Sequence, residues 1–177
     1  MKIRHAQPAD APAISRVHIS SWRSTYRGLV PDHVLDNLDP ERNSIRWHEN
    51  ISRHDELKCH FVAENNQKQV VGFAIGGPNR TENTGYNGEL YAIYLLKESQ
   101  RKGAGRALLL SVARWLSEHN YTSMLVWVLA QNPAKYFYEA MGGIPVGRKK
   151  IDIGNAPIDE VSYGWINIKS LLERNKF

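Results

Sequence analysis

The stretch Gln100-Arg101-Lys102-Gly103-Ala104-Gly105 carries the residue types needed to hold an anion. Glycines let a backbone come close to a ligand, and the first N–H groups of a helix have no partner within it. A helix is expected from Arg106 onward, and Arg101, Lys102 and Arg106 bring positive charge to its start. Phosphate is the anion that such a turn most often holds. A glycine-containing helix start with solvated basic residues would show the same letters, so the ligand must be read from what surrounds the turn.

The elements that position the turn are an apolar strand before it, Leu90-Tyr91-Ala92-Ile93-Tyr94-Leu95-Leu96, and an amphipathic helix after it. In that helix Ala104, Leu108, Val112, Trp115 and Leu116 fall on one face. A dinucleotide-binding turn would need a third glycine where Leu108 stands, and an acid at the end of the next strand, where Val128-Leu129-Ala130 has none. No Gly-Lys-Ser or Gly-Lys-Thr is present, which excludes a Walker A loop.

Around this unit the chain reads as a mixed α/β sheet with helices on its faces. Lys2 to His5 is a short strand, and Asp10 is expected to N-cap a helix that carries Pro12 in its first turn and stops near Gly28. Val34, Leu35 and Leu38 suit a short second helix, and Glu41 to Ser52 a third. His60–Glu64 and Gln69–Ile75 form a hairpin, Asn79–Asn87 a polar loop, and Tyr121–Leu129 a further strand. Asn132-Pro133 starts a short helix that Gly142-Gly143 ends. Ile144–Ile153 and Ile158–Ile166 are two last strands, and Lys169–Phe177 a frayed tail or a helical turn. No linker divides the chain, so 1–177 is expected to be one domain, with a helical part over 1–58 and a sheet core over 59–166.

The totals fit a globular chain of 177 residues with 42% hydrophobic and 23% charged residues. The single cysteine, Cys59, cannot form an internal disulfide and fits a reducing cytoplasm. No signal peptide and no membrane-spanning apolar run are found. A formal charge of +5 with pI ≈ 9.3 suits an anionic partner. The basic residues are scattered, however, and Lys149-Lys150 is too short for a nucleic-acid arm, so neither nucleic acid nor a membrane is expected as partner. The seven histidines show no metal spacing, with His54 and His60 only loosely flanking Cys59, and no metal is expected.

Together, two motifs resemble the Gcn5-related N-acetyltransferases (GNAT). The Gln100–Gly105 run matches their Q/R-x-x-G-x-G/A coenzyme A signature, and Asn132-Pro133-Ala134-Lys135-Tyr136-Phe137-Tyr138-Glu139 is similar to their second signature. The likeness covers about residues 59–165, and the first third follows the family's element order. It implies an α+β fold with a mixed, mostly antiparallel sheet splayed at its central strands, and acetyl-CoA as co-substrate.

The resemblance also implies roles. The backbone of Ile93, Tyr94 and Leu95 would pair with the pantetheine arm, one N–H near Leu95 facing the thioester oxygen. Gln100, Arg101, Lys102, Gly103, Ala104, Gly105 and Arg106 would hold the diphosphate, and Asn132 would touch pantetheine or diphosphate as well as cap its helix. Tyr138 would be the general acid for the departing thiolate, a packing role beside Phe137 being the other reading. Tyr136 should point elsewhere. Glu89 is the leading base for the acceptor amine, against a solvated strand end. Tyr91, on the same face, and Trp22, Tyr26 and Trp47 would line the acceptor pocket, unless they are plain core. Cys59 is not needed as a nucleophile.

The reading is a cytoplasmic N-acetyltransferase that acts on a small-molecule or peptide primary amine by direct attack. The alternative is a non-catalytic acyl-CoA-binding sensor or scaffold. A homodimer could form through a terminal strand such as Ile158–Ile166.

Overall fold

The computed structural model describes residues 1–53 and 55–175; His54, Lys176 and Phe177, and with them the end of the expected tail, lie outside the described residues. Strands β1 (Lys2–His5), β2 (Cys59–Glu64), β3 (Val70–Pro78), β4 (Gly88–Leu95), β5 (Met124–Leu129), β6 (Ile144–Ile153) and β7 (Ala156–Trp165) form one sheet. Its order is β1-β2-β3-β4-β5-β7-β6. Every neighbouring pair is antiparallel except β4 with β5. The β4–β5 connection passes through helix α4 (Ala104–Glu118), as a parallel pair requires a crossover. The mostly antiparallel mixed sheet agrees with the sequence reading.

Strand β7 does not offer an edge. It is flanked on one side by β5, from Met124↔Trp165 to Leu129↔Glu160, and on the other by β6, from Ile144↔Gly164 to Ile153↔Ala156. From Glu160 to Gly164 both rows of its backbone groups are taken, which corrects, over that stretch, the expectation that this strand pairs across a dimer. The hairpin closes through Gly154 and Asn155, both left-handed at φ +62° and +63°.

Helix α1 (Ala11–Tyr26) covers the sheet face that carries Phe73 and Tyr94, with Ile14, Val17 and Ser21 buried. Asp10 precedes it without capping it. Its carboxylate instead accepts from the Gln7 N–H and pairs with Arg4, closing the 3-10 turn before α1. Arg4 also meets Glu64 on β2, so the first strand is clasped from two sides. Helix α2 (Asp32–Asp36) follows, then α3 (Pro40–Ser52), whose N-terminus is capped by Asp39 accepting from the Glu41 and Arg42 N–H groups. On the other face α4 buries Ala104, Leu108, Val112 and Leu116 as its spacing predicted, while Trp115 stacks on His119. Gly76 of β3 passes under Val112, where any side chain would collide. Helix α5 (Lys135–Ala140) precedes β6, and α6 (Ile168–Arg174) packs on α4.

Under α1 lies an aromatic cluster. Phe73, 1% exposed, touches Trp47 and Tyr94 with ring centroids 5.1 and 5.5 Å away. His18 meets Trp22, Trp47, Phe73 and Tyr94, and its Nδ1 lies 3.2 Å from Asn43 Nδ2. Burial lowers the His18 pKa against the opposing hydrogen bond from Asn43.

Phe73→Ala should cost about 3–5 kcal/mol, read as a lower urea midpoint at unchanged slope. A histidine with depressed folded pKa contributes stability that is present above its unfolded value of about 6.5 and is lost as pH falls through the folded value. Stability should therefore decline below about pH 6.5, and His18→Gln should flatten that decline in urea unfolding measured at successive pH values.

Candidate active site

Strands β4 and β5 pair over only Gly88↔Met124, Glu89↔Leu125 and Leu90↔Val126. Both continue, β4 to Leu95 and β5 to Leu129, without pairing with each other again. Strand β3 follows β4 to the end, at Gly72↔Leu95. Beyond Leu90, then, one edge of β4 is held and the other faces no strand among the described residues. The sheet is splayed at its central strands.

At the same place β4 holds one extra residue. Ile75 faces Ala92 and Gly76 faces Leu90, so Tyr91 is bulged out of the ladder. Strict alternation would put Tyr94 on the face opposite Glu89 and Tyr91. The bulge resets the phase, and all three line one cavity of about 390 Å³. Trp22 and Tyr26 of α1 close one side of it, and Trp127 of β5 with Lys149 and Glu160 of the β6–β7 hairpin the other.

Two acid–cation pairs stand in this cavity. Glu89 is 2% exposed, so it is no solvated strand end. Its Oε2 accepts the Arg80 N–H at 2.9 Å and its Oε1 accepts from the Arg80 guanidinium. That guanidinium lies 3.9 Å from the Tyr91 ring centre, and the Tyr91 hydroxyl donates to the Pro78 carbonyl at 2.6 Å. Across the cavity, Lys149 Nζ lies 4.0 Å from the Trp127 ring centre and 3.5 Å from Glu160 Oε2. Burial raises the Glu160 pKa, Lys149 pulls it back, and the charge of Glu89 adds to the rise. Trp127 Nε1 donates to Thr81 at 3.0 Å, and Asn79 organises the polar loop by bonding to Thr81, Thr84 and Tyr86.

The tyrosines form the next layer. Trp22 Nε1 donates to the Tyr94 hydroxyl at 3.1 Å, and Tyr26 stands beside Tyr94 and Asn132. Tyr138 is 4% exposed among Phe137, Tyr163 and Trp165. Burial, with Tyr94 nearby, pushes its phenol pKa well above the ordinary value, so it stays a protonated donor. Packing and donation are both open to it. Tyr136, two residues earlier, is exposed, as its spacing predicted.

The glycine turn sits at the outer end of β4. Gly103 has φ +84° and Arg101 φ +57°, left-handed conformations that turn the chain into α4. A Cβ at Gly105 would lie 3.3 Å from Leu95 Cδ1 and 3.6 Å from Phe137, so strand, turn and α5 meet there. Ala104 is buried, while Arg101, Lys102 and Gly103 are exposed. The Gln100 amide and the Ser21 hydroxyl both donate to the Leu95 carbonyl. Ile93 is half-buried in the same strand. The Arg106 guanidinium donates to Asn175 at 3.0 and 3.1 Å, which ties that side chain to the end of α6, and its backbone N–H remains in the first turn of α4.

Some expected residues lie elsewhere. Trp47 packs on His18 and Phe73 and does not line the cavity. Cys59 is 2% exposed, its thiol pKa pushed up to about 12 by burial, which leaves it inert. Among the described residues no cluster of His, Cys, Asp or Glu could hold a metal. The sequence reading missed Arg80, Trp127, Lys149 and Glu160. For Glu160 a signal existed, since it shares an alternating face with Ile158, which makes it a carboxylate at an inward position.

A family model described as the acetyltransferase (GNAT) family matches residues 19–143. The chain belongs to this family. An uncharacterized N-acetyltransferase of Bacillus subtilis (strain 168), YuaI, is 41% identical over 169 residues, 96% of this chain and 95% of its own. The solved ribosomal-protein-alanine N-acetyltransferase from Brucella melitensis is 27% identical with TM-score 0.72, covering 94% of this chain and 99% of that one. The PaiA N-acetyltransferase from Thermoplasma acidophilum, solved in complex with coenzyme A, shares the fold at 19% identity and TM-score 0.68, covering 90% and 96%.

Asn132 is 4% exposed and its Oδ1 accepts the Ala134 N–H at 2.9 Å, fixing the turn into α5. Asn132→Ala should destabilise the protein by about 1–2 kcal/mol in urea unfolding.

Proposed function

We propose that this protein is a cytoplasmic, single-domain N-acetyltransferase that moves an acetyl group from acetyl-CoA to a primary amine in a ternary complex. The observation that carries this reading is the divergence of β4 from β5, which leaves an unpaired strand edge running from the acid-lined cavity to the glycine turn. A pantetheine arm laid along Tyr91–Leu95 would satisfy that edge, and the N–H groups of Arg101 to Arg106 suit the diphosphate. Arg101 and Lys102 add charge from the exposed side. The relative crystallised with coenzyme A supports the same use of the fold. The inert, reduced Cys59 suits the cytoplasm, and among the described residues no helix is long and apolar enough to cross a membrane.

The acceptor nitrogen would enter from the cavity that Trp22, Tyr26, Tyr91 and Tyr94 wall. Its ammonium must lose a proton before it can attack, and the cavity carboxylates are placed to receive it. By family resemblance Glu89 is the first candidate. The neutral amine attacks the thioester carbon, forming the C–N bond, and the N–H near Leu95 faces the developing oxyanion. The C–S bond then breaks. Tyr138 gives its phenolic proton to the thiolate and is reprotonated by the proton that the new amide nitrogen sheds. The Brucella relative, by its name, acts on an alanine of a ribosomal protein, which supports peptide α-amines among the acceptors to be tried.

Isothermal titration of the purified protein with coenzyme A should show binding, and thiol release from acetyl-CoA should rise with at least one member of a panel of alkylamines, amino acids and peptide amines. No binding of coenzyme A would sink the proposal. Binding without thiol release for any amine would favour the acyl-CoA sensor. Tyr138→Phe should lower kcat by about 10²–10⁴-fold and leave the coenzyme A affinity within a few-fold. An unchanged kcat would remove Tyr138 from the acid role.

A further inference from the structure

The two carboxylates in the cavity differ in what occupies them. Both oxygens of Glu89 already accept hydrogen bonds from Arg80, one from its main chain and one from its side chain. A proton on Glu89 would cancel the charge that pairs with the Arg80 guanidinium and so weaken a contact that also holds the loop at Arg80 onto β4. Glu160 stands differently. It lies on β7 at the register of Leu129, the last residue of β5, and opposite Lys149 on β6. One oxygen faces the Lys149 ammonium at 3.5 Å, longer than a normal charged hydrogen bond, and the carboxylate lines the cavity. Tyr94, Glu89 and Arg80 on the facing side act on it through space.

We infer that Glu160 is the group that takes the proton from the acceptor's ammonium, while Glu89 with Arg80 positions the loop and sets the field of the cavity. This rests on the reading of the protein as an amine acetyltransferase. The ammonium is drawn between Glu160 and the aromatic walls, where Lys149 over Trp127 already shows that a cation is accommodated. The proton moves from R–NH3⁺ to the Glu160 carboxylate, leaving R–NH2 with its lone pair free to attack and a neutral carboxylic acid that later releases the proton to water. The acid so formed suits its surroundings. Burial raises the affinity of Glu160 for a proton, and the nearby negative charge of Glu89 raises it further. Lys149, and more weakly Arg80, restrain that rise. The lysine is thus a tuning residue that acts through Glu160.

Carbon-13 NMR of the glutamate side chains reads the proposal without knowledge of the acceptor. The Glu160 carboxyl should titrate above the ordinary ~4.3, and its resonance should move when n-butylammonium is added. In Lys149→Met the titration should move up by about one pH unit. For any panel amine that wild type acetylates, Glu160→Gln should lower kcat about 10²-fold and abolish the acid limb of the pH profile. Glu89→Gln should weaken turnover yet keep that limb. Lys149→Met should shift the limb upward. Coenzyme A affinity within a few-fold of wild type certifies each variant as folded. Glu160 titrating at or below the ordinary value, a resonance indifferent to n-butylammonium, or a Glu160→Gln enzyme with wild-type kcat would each overturn the assignment. Loss of coenzyme A binding by wild type would instead strike the acetyltransferase reading itself.

Discussion

A parallel ladder only three residue pairs long governs this structure. Backbone N–H and C=O groups must find partners wherever water is limited, so a strand that loses its neighbour midway is costly unless something else satisfies its edge. Here β3 secures one edge of β4 to its end while β5 turns away after Val126. The gap is kept open by what stands on either side, the α1 aromatics against Tyr94 and the β6–β7 hairpin carried along with β5. The bulge at Tyr91 belongs to the same event. It bends the strand at the point of divergence and sends Tyr94 to the cavity side, where strict pleating would have sent it to the face of α4.

The opening between the strands leads in two directions with opposite electrostatics. Toward the chain's glycine turn it meets the N-terminus of α4 and exposed basic residues, a setting for anions. Toward the hairpin it meets two carboxylates, each matched by one cation resting on an aromatic ring. A buried carboxylate without a partner would be strongly destabilising, so these cations stabilise the cavity in the absence of a guest. The two ends of the cleft thus differ in charge, basic at the turn and acid-lined at the hairpin.

The glycine turn, the apolar strand before it and the helix after it were legible because they depend on local rules: φ freedom at Gly103, a helix start at Ala104 and an apolar face at fourfold spacing. The helix with Asn132 and Tyr138 was legible for the same reason, whereas Trp22 and Tyr26, which line the cavity with Tyr91, were expected there only from the family resemblance. Where the reading departed from the structure, a longer-range contact had intervened. Asp10 is drawn from its helix by Arg4 and Gln7, the Arg106 guanidinium reaches Asn175, Trp47 is held by His18 and Phe73, and β7 is enclosed by β5 and β6.

The sequence by itself determined the elements, their order and the glycine turn into α4, because propensity, periodicity and glycine conformation act within a few residues. Two motifs at matching separations were also enough to name the family. Only the tertiary structure decided what lines the cavity at the other end of the cleft. The Arg80–Glu89 pair and the Lys149–Glu160 pair lie far apart in the chain, and they line one cavity because β5 diverges from β4 and carries the terminal hairpin with it. No local rule reports a strand divergence or the phase change of a bulge, since both arise from how neighbouring strands compete for backbone partners.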